Sequence, residues 1–287
     1  MKNITISKCL IYGFIAIISI FFLLPVLLVL IVSFSSEASI TRNGYTFFPD
    51  EWSLSAYQML FGPSSTIWQS YWVTAVSMVV GTLIAVIITY LAAYALANPH
   101  CKYRNGLSLF FYFPMVFTTG MIPWYMMSVK LGFYDNILAL IIPTMIFSPF
   151  NLFLVRNFTR GIPESLRESA LLDGAREFYI CVRIYLPLCM PVIATVALFY
   201  AINYWNNYFN SIMLVIDEDY YTLQTWLFRI QEQIAVMDTF GSDSGVASPR
   251  ENFKMASAIV TMGPIVLLYP FLQRYFVKGI IIGAVKG

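Results

Sequence analysis

The sequence predicts an all-α integral membrane protein with six transmembrane helices. The first observation behind this prediction is composition, because 59% of the 287 residues are hydrophobic and only 11% are charged, whereas soluble proteins carry about a quarter charged residues. The second is the position of the apolar residues, which form six long runs without a single Asp, Glu, Lys, Arg or His. The third is the uneven distribution of Lys and Arg between these runs.

Each run is long enough to cross a membrane as one helix. The hydrocarbon layer of about 30 Å requires about 20 apolar residues, and buried helices of soluble proteins rarely run so far without charge. The first run exceeds the core of about 7–15 residues typical of a secretion signal, so we take it as an uncleaved span. The chain is thus predicted to be a single transmembrane domain, residues 1–287. Its spans are Leu10–Phe34, Tyr71–Ala97, Leu107–Val129, Ile137–Val155, Leu188–Ile216 and Met255–Gln273.

The basic residues predict the orientation. An even number of spans places both termini on one side of the membrane, and Lys and Arg concentrate on the cytoplasmic side. With a cytoplasmic N-terminus, the inner segments hold twelve of the 17 basic residues. We therefore expect both termini in the cytoplasm and a long cytoplasmic loop at residues 156–187. The inner set is Lys2, Lys8, Lys102, Arg104, Arg156, Arg160, Arg167, Arg176, Arg183, Arg274, Lys278 and Lys286.

The predicted spans also bear on the source of energy. Proton-coupled carriers need titratable groups inside the membrane, where each costs about 2.5–3.5 kcal/mol, and these spans contain none. A sodium site made of carbonyls and hydroxyls remains open. The phosphate-binding loop of ATPases requires a Gly-Lys dipeptide, which the sequence lacks. The chain is therefore not expected to be an enzyme, and energy for uphill transport must enter from another subunit.

Other site chemistries find little support. Four cysteines and one histidine, at their spacings, make no plausible metal site. The net charge of +2 reflects the asymmetry across the membrane, so it does not indicate a nucleic-acid partner. We predict no catalytic residue, no metal and no cofactor bound by this chain.

The cytoplasmic loop at 156–187 predicts a short amphipathic helix. Pro163 suits the first helical turn and Glu164 suits its positive end. Leu166 and Ala170 lie one turn apart on one face, and Gly174 can end the helix or permit another backbone to approach closely. A helix held between two spans can be gripped and pulled from the cytoplasm. Its mixed charge alone would fit an ordinary solvated connection.

Over twenty residues this loop resembles the coupling motif of the membrane subunits of bacterial binding-protein-dependent ABC importers. That motif reads Glu-Ala-Ala, three residues, Gly, nine residues, then Ile-x-Leu-Pro, and Ser169 is the one departure among seven fixed positions. The resemblance implies that Glu168 to Gly174 dock in a cleft of an ATPase subunit. The residues assigned to ATPase coupling are Glu168, Ser169, Ala170, Asp173, Gly174, Ile184, Leu186 and Pro187.

Further segments resemble the second permease of maltose-type carbohydrate-uptake systems. These segments are Trp52–Tyr57, Ala92–Ala97, Asp173–Ala175, Trp205–Asn206 and Gly283–Gly287. The resemblance implies the type I (MetI-like) importer permease fold in a bacterial cytoplasmic membrane, and import of an oligosaccharide or a related glycan fragment. It also implies four partner chains, namely a second permease, two ATPase subunits that bind ATP and Mg, and an extracytoplasmic solute-binding protein. The C-terminal tail around Lys286 would reach towards the ATPase pair.

A polar and aromatic patch ends the fifth predicted span. Amides offer donors and acceptors, and flat rings stack on the apolar faces of sugars, so the patch suits a carbohydrate path. An interfacial aromatic belt with interhelical hydrogen bonds is the structural alternative. The residues assigned to the substrate path are Asn203, Trp205, Asn206, Asn207 and Tyr208.

Two other classes of function stay open. An ion-coupled secondary sugar carrier would work without an ATPase, and a membrane scaffold would transport nothing. The predicted outer loop Asp217–Lys254 resembles the loop that meets the binding protein in the importer family, although a merely solvated loop would have the same composition.

Overall fold

The protein is mainly helical over the residues described by the computed structural model, which are 6–63, 65–143, 145–240 and 251–266. Within those ranges the one β-type pairing is an isolated bridge between Ser35 and Trp52. A π-helical turn, Ile180–Tyr185, joins the helix Glu177–Tyr179 to the helix Leu186–Trp205, and Glu218–Tyr220 forms a 3-10 turn. The predicted all-α fold class is confirmed. The α-helices are α1 Ile6–Ser33, α2 Glu37–Asn43, α3 Ser55–Leu60, α4 Ile67–Ala97, α5 Arg104–Val116, α6 Met121–Lys130, α7 Leu138–Ile141, α8 Pro149–Arg160, α9 Ser165–Leu172, α10 Glu177–Tyr179, α11 Leu186–Trp205, α12 Phe209–Leu214, α13 Leu223–Phe240 and α14 251–266.

Three helices in the described part of the chain are long and apolar enough to cross a membrane. They are Ile11–Ser33, Ile67–Ala97 and the continuous stretch Glu177–Trp205. Helices α5 and α6 would make a fourth if the pair is counted as one broken span, and they are bent by 118° at the break between them. The break falls inside the third predicted span, where Gly120 has a φ of 80° that residues with side chains rarely adopt.

The fourth and fifth predicted spans also contain breaks. Helix α7 ends just before Pro143, and α8 starts at Pro149, where the Ser148 hydroxyl accepts the Asn151 N–H. A Ser-Pro pair is a favoured helix start. Helix α11 ends at Trp205 rather than continuing to Ile216. Hydropathy marks all of these residues as apolar enough for a membrane, but it does not register where the helix is interrupted.

The described parts of the predicted outer loop, residues 217–240 and 251–254, are largely helical. Helix α13 runs from Leu223 to Phe240, and the Thr222 hydroxyl accepts the Thr225 N–H at its start. Leu223, Trp226 and Ile234 are buried at helical spacing. Helix α14 covers 251–266, so the end of the sixth predicted span and the tail at Lys286 lie outside the described residues.

The chain divides into two compact units, residues 1–68 with 227–264 and residues 69–226 with 265–287. In the first unit, Glu37 accepts the backbone N–H groups of Glu251 and Asn252 and so caps the start of α14. In the second unit, α4, α8 and α11 share a core of small, aliphatic and aromatic residues. This core supports the helix that leads into the predicted coupling loop.

Candidate coupling site and polar segment

Helix α9, the centre of the predicted coupling loop, ends in a glycine-dependent cap. Gly174 has a φ of 80°, and its N–H donates to Leu171 O at 3.0 Å. The next N–H, from Ala175, donates to Ala170 O at 2.9 Å. These two bonds form a Schellman motif, which satisfies carbonyls that the helix end leaves open. A Cβ on Gly174 would meet nothing within 4 Å, so the need for glycine here comes from the backbone conformation.

The predicted coupling residues of α9 divide into an exposed set and one anchor. Glu168, Ser169 and Asp173 are exposed, and Ala170 is buried against the cluster of Ile180 and Tyr185. Three leucines on α9 are also exposed, and the side chain at its end is 89% exposed. Those leucines are Leu166, Leu171 and Leu172. Exposed apolar side chains on a short helix are suited to contact another molecule.

The buried Arg167 connects α9 to neighbouring helices through ion pairs. The Arg167 guanidinium donates to Glu164 Oε1 at 3.0 Å and also to Glu177 Oε1. The other oxygen of Glu177 accepts the Tyr94 hydroxyl at 2.9 Å. Because Tyr94 lies on α4 and Glu177 begins the continuous helical stretch Glu177–Trp205, this Arg167 network joins α9 to two long helices. The Tyr94 ring also packs edge-on against Tyr185 at 5.3 Å.

The remaining predicted coupling residues lie on the wide turn that leads into α11. Ile184 packs with the Ala170 cluster, and Leu186 packs on the central core. Pro187 has no N–H for a helical hydrogen bond, and its ring crowds the carbonyl four residues earlier. The turn before it is π-helical, with Leu186 N–H donating to Cys181 O. π-Helical turns are frequent at functional sites.

The polar segment at the end of α11 supplies hydrogen bonds to the broken backbone near α7. Tyr204 donates to Ile141 O at 2.9 Å, and Asn207 donates to Leu140 O at 3.2 Å. A third bond runs from the side-chain amide of Asn210 to the Pro143 carbonyl oxygen at 2.8 Å. Broken backbone inside a membrane protein must be satisfied by the protein itself. Two of the asparagines of the patch are thus already used within the chain.

Close backbone packing holds one of these donors in place. A Cβ on Gly81 of α4 would lie 2.3 Å from Tyr204 Cζ. Tyr204 is 1% exposed. Only glycine lets α4 approach the tyrosine ring at this distance. We call Tyr204, Asn207, Asn210 and Gly81 the span-five lock.

The other predicted substrate-path residues have different surroundings. Trp205 is buried, while Asn206 is exposed and accepts the Gln224 amide at 3.4 Å. Tyr208 is exposed. Asn203 lines an open groove of about 330 Å³ together with Phe150 and Phe199 of the same unit. Asn203, Asn206 and Tyr208 therefore keep surface that a solute can reach.

A carboxylate that the sequence analysis did not single out secures the chain beyond α12. Asp135 accepts the N–H groups of Ile216 at 2.9 Å and Asp217 at 2.8 Å, and its own N–H donates to Leu214 O. These backbone bonds lower the pKa of Asp135. Its φ of 53° is unusual for a residue with a side chain, although Asp and Asn tolerate it best.

Comparison with known families decides the identity of the chain. Residues 89–282 match the family described as binding-protein-dependent transport system inner membrane component. The chain belongs to this family. The permease is therefore a multi-pass inner-membrane transport component, and its predicted type I importer permease fold is confirmed.

Two relatives and one solved structure are similar over almost the whole permease. The polygalacturonan/rhamnogalacturonan transport system permease protein YtcP of Bacillus subtilis is 36% identical over 100% of both chains. The arabinooligosaccharides transport system permease protein AraQ of Halalkalibacterium halodurans is 29% identical over 96% of this chain and 94% of its own. A chain from the crystal structure of a bacterial ABC transporter involved in the import of the acidic polysaccharide alginate has a TM-score of 0.84. That chain is 29% identical, and the match covers 96% of this chain and 98% of that one.

Sequence reasoning missed the Arg167 network as well as Asp135. A local signal existed for half of the network, because Glu164 and Arg167 are three residues apart on one helix and can pair. Tyr94 lies in Ala92–Ala97, one of the segments that resemble the carbohydrate-uptake permeases, but that resemblance assigns it no role. Nothing local links Tyr94 to Glu177, since 83 residues separate them in the chain.

Proposed function

We propose that the permease moves an oligosaccharide or a related glycan fragment across the membrane, driven by ATPase subunits that grip α9. The observation that carries this proposal is the geometry of α9 in a chain of this family. The helix exposes Glu168 and Leu172 on one face, while Arg167 on the other face is bonded to residues that continue into the long apolar helices. One face of the helix is thus free to contact the ATPase subunits, and the other is connected to the transmembrane helices that would move.

The Arg167 network is the proposed route of transmission. A displacement of α9 would pull on Glu177, which continues through the π-helical turn into α11, and on Tyr94 at the end of α4. Both are members of long apolar helices. Because Arg167 is buried and its partners are charged, the link resists separation: breaking such pairs costs about 1.5–3 kcal/mol per hydrogen bond.

The proposed partners follow the family. A second permease completes the pathway, an extracytoplasmic solute-binding protein delivers the glycan, and two ATPase subunits bind ATP and Mg. Both termini are proposed to be cytoplasmic, which places α9 on the ATPase side, and the tail at Lys286 is proposed to reach the ATPase pair. ATP shifts the transporter between states only through its differential affinity for them.

The proposed glycan contacts are the members of the polar segment that remain accessible. The relatives described above are named as permeases for polygalacturonan/rhamnogalacturonan and for arabinooligosaccharides, which supports this substrate class. Asn203 with Phe150 and Phe199 combines an amide with aromatic rings, and this pairing suits a sugar. Asn206 and Tyr208 extend the proposed path, whereas the burial of Trp205 and Asn207 favours a supporting role for them.

The test is reconstitution of the assembled transporter in vesicles with its binding protein. Glu168→Ala and Leu172→Ala should reduce ATP-driven uptake while the intrinsic ATPase rate and permease stability are kept. Leu131→Ala, which truncates a leucine that is likewise exposed but lies outside the coupling loop, serves as the matched control. Oligogalacturonides, alginate fragments and arabino-oligosaccharides provide the substrate panel. Uptake by the permease alone, driven by an ion gradient, would refute the proposal and support a secondary carrier.

A further inference from the structure

A cavity beside the coupling helix carries an excess of positive charge. Its volume is about 570 Å³, and its wall includes Arg104, Arg160 and Arg167 together with Glu164. Arg167 is already neutralised by Glu164 and Glu177. Arg104 and Arg160 therefore supply the charge that the cavity presents.

A third arginine reinforces this charge. Arg156 Nε donates to Leu96 O at 3.4 Å, and its guanidinium lies 5.6 Å from the centre of the Phe153 ring. Burial and the positive charges of Arg160 and Arg104 lower the pKa of Arg156. Within the described ranges, none of the three arginines forms an ion pair with a carboxylate. Three like charges held together in this way attract an anion.

The position of the cavity along the helices indicates which anion. Helix α4 ends at Ala97, α5 begins at Arg104 and α8 ends at Arg160, so the polar ends of three helices meet there. Along α5, next to the arginines, Leu107 and Phe110 are exposed apolar side chains. This arrangement places arginines that can bind a phosphate beside exposed apolar side chains that can contact acyl chains. Basic pockets between transmembrane helices bind anionic lipid headgroups in this manner.

The cavity is distinct from the face proposed for the ATPase. Glu168, Leu171 and Leu172 do not line it, and they are exposed on α9. An acidic segment of a partner protein would need no apolar surface along α5, whereas a phospholipid uses both the arginines and that surface.

We propose that this cavity binds the phosphate of an anionic phospholipid, with Arg104 and Arg160 as the main contacts and Arg156 as a supporting charge. The bound headgroup would lie against Pro163 and Glu164 at the start of the coupling helix. The lipid composition of the membrane would then influence how firmly that helix is held.

The experiment measures lipid retention by the full-length permease. The chain is reconstituted in nanodiscs of phosphatidylglycerol and phosphatidylcholine, and retained lipid is counted by native mass spectrometry. Each basic residue near an anionic surface contributes a factor of about five to binding. The double variant Arg104→Gln/Arg160→Gln should therefore retain phosphatidylglycerol about 25-fold more weakly, with no change for phosphatidylcholine.

Two control variants separate a lost site from a lost fold. Arg104→Lys/Arg160→Lys keeps both charges and should keep most of the binding, since lysine also binds phosphate. Arg176→Gln removes an exposed arginine outside the cavity and should retain the lipid as the parent chain does. Melting curves in detergent establish that each variant is folded.

Three results would overturn the proposal. One is equal phosphatidylglycerol retention by the parent chain and the Gln double variant. Another is tight binding of inorganic phosphate by the detergent-purified chain, with displacement of the lipid, which would assign the site to a soluble phosphate. The last is crosslinking of positions 104 and 160 to an ATPase subunit in the assembled transporter with lipid retention unaffected by the Gln variant.

Discussion

The coupling helix and the polar segment of span five both stand out in the sequence, and the structure uses them in opposite ways. On α9, Glu168 and Asp173 are exposed. At the end of α11, Tyr204 and Asn207 are buried, and their side chains donate to backbone carbonyls near α7. The first set remains available to another molecule, whereas the second holds this chain together.

The difference originates in how each segment satisfies its backbone. Helix α9 closes its own end through Gly174, so its side chains are not needed for that purpose. The break after α7 has no such cap, and the hydrocarbon region offers no water to satisfy its carbonyls. A polar side chain in a transmembrane helix should therefore be considered first as a hydrogen-bond partner for the nearest helix break, and only then as a contact for a substrate.

The largest expected effect tests the span-five lock at its tightest point. Gly81→Ala places a methyl group 2.3 Å from Tyr204 Cζ, and the ring cannot retreat without straining its bond to Ile141. We expect the free energy of unfolding to fall by about 3 kcal/mol, measured by denaturant titration in detergent micelles.

Gly106→Ala is the matched control, because nothing lies within 4 Å of the added carbon there. Its stability should stay within about 0.5 kcal/mol of the parent chain. If Gly81→Ala had as little effect on stability, the contact between α4 and Tyr204 would be loose. The buried side chains of the span-five lock would then not hold the chain together, and the contrast with α9 would fail.

The next prediction separates the asparagines of the polar segment. Asn210→Ala removes the 2.8 Å hydrogen bond that this buried amide donates to the Pro143 carbonyl and should lower stability by about 2 kcal/mol. Asn206→Ala changes an exposed side chain and should cost less than about 0.5 kcal/mol. The same detergent titration measures both variants. The reverse order would mean that the buried amide is not structural and would return it to the proposed sugar path.

How much the sequence could predict depends on the distance over which each signal acts. Pro163 and Gly174 delimit α9 by local rules, and the spacing of the coupling motif lies within twenty residues. The partners of Asn207 and Asn210 lie 67 residues away, so no local pattern could assign them. Likewise, hydropathy located the apolar runs, while the breaks within them depend on which carbonyls other helices can satisfy.

A smaller effect is expected at the cap of the coupling helix. Gly174 has a φ of 80°, and a side chain in the left-handed region costs about 1 kcal/mol. Gly174→Ala should lower stability by this amount and Gly174→Asn by less, because Asn tolerates this conformation. Circular dichroism melting measures the difference. Identical stabilities for the three chains would mean that glycine serves a close approach by a partner instead.

The smallest expected effect concerns pH and the segment that follows the span-five lock. The N–H groups of Asp217 and Ile216 lower the pKa of Asp135 below its ordinary value of 3.8. A depressed pKa in the folded chain means that this stabilisation is complete above the ordinary value and is lost as pH falls through the folded value.

Melting temperatures of the parent chain should therefore drop in that acid range more steeply than those of Asp135→Asn. The asparagine keeps an acceptor oxygen and tolerates the positive φ, but it does not titrate. If the melting temperatures of the two chains fell in parallel with pH, the two backbone hydrogen bonds would not depend on the charge of Asp135. The residue would then be required for its backbone conformation, as Gly174 is, rather than for its charge.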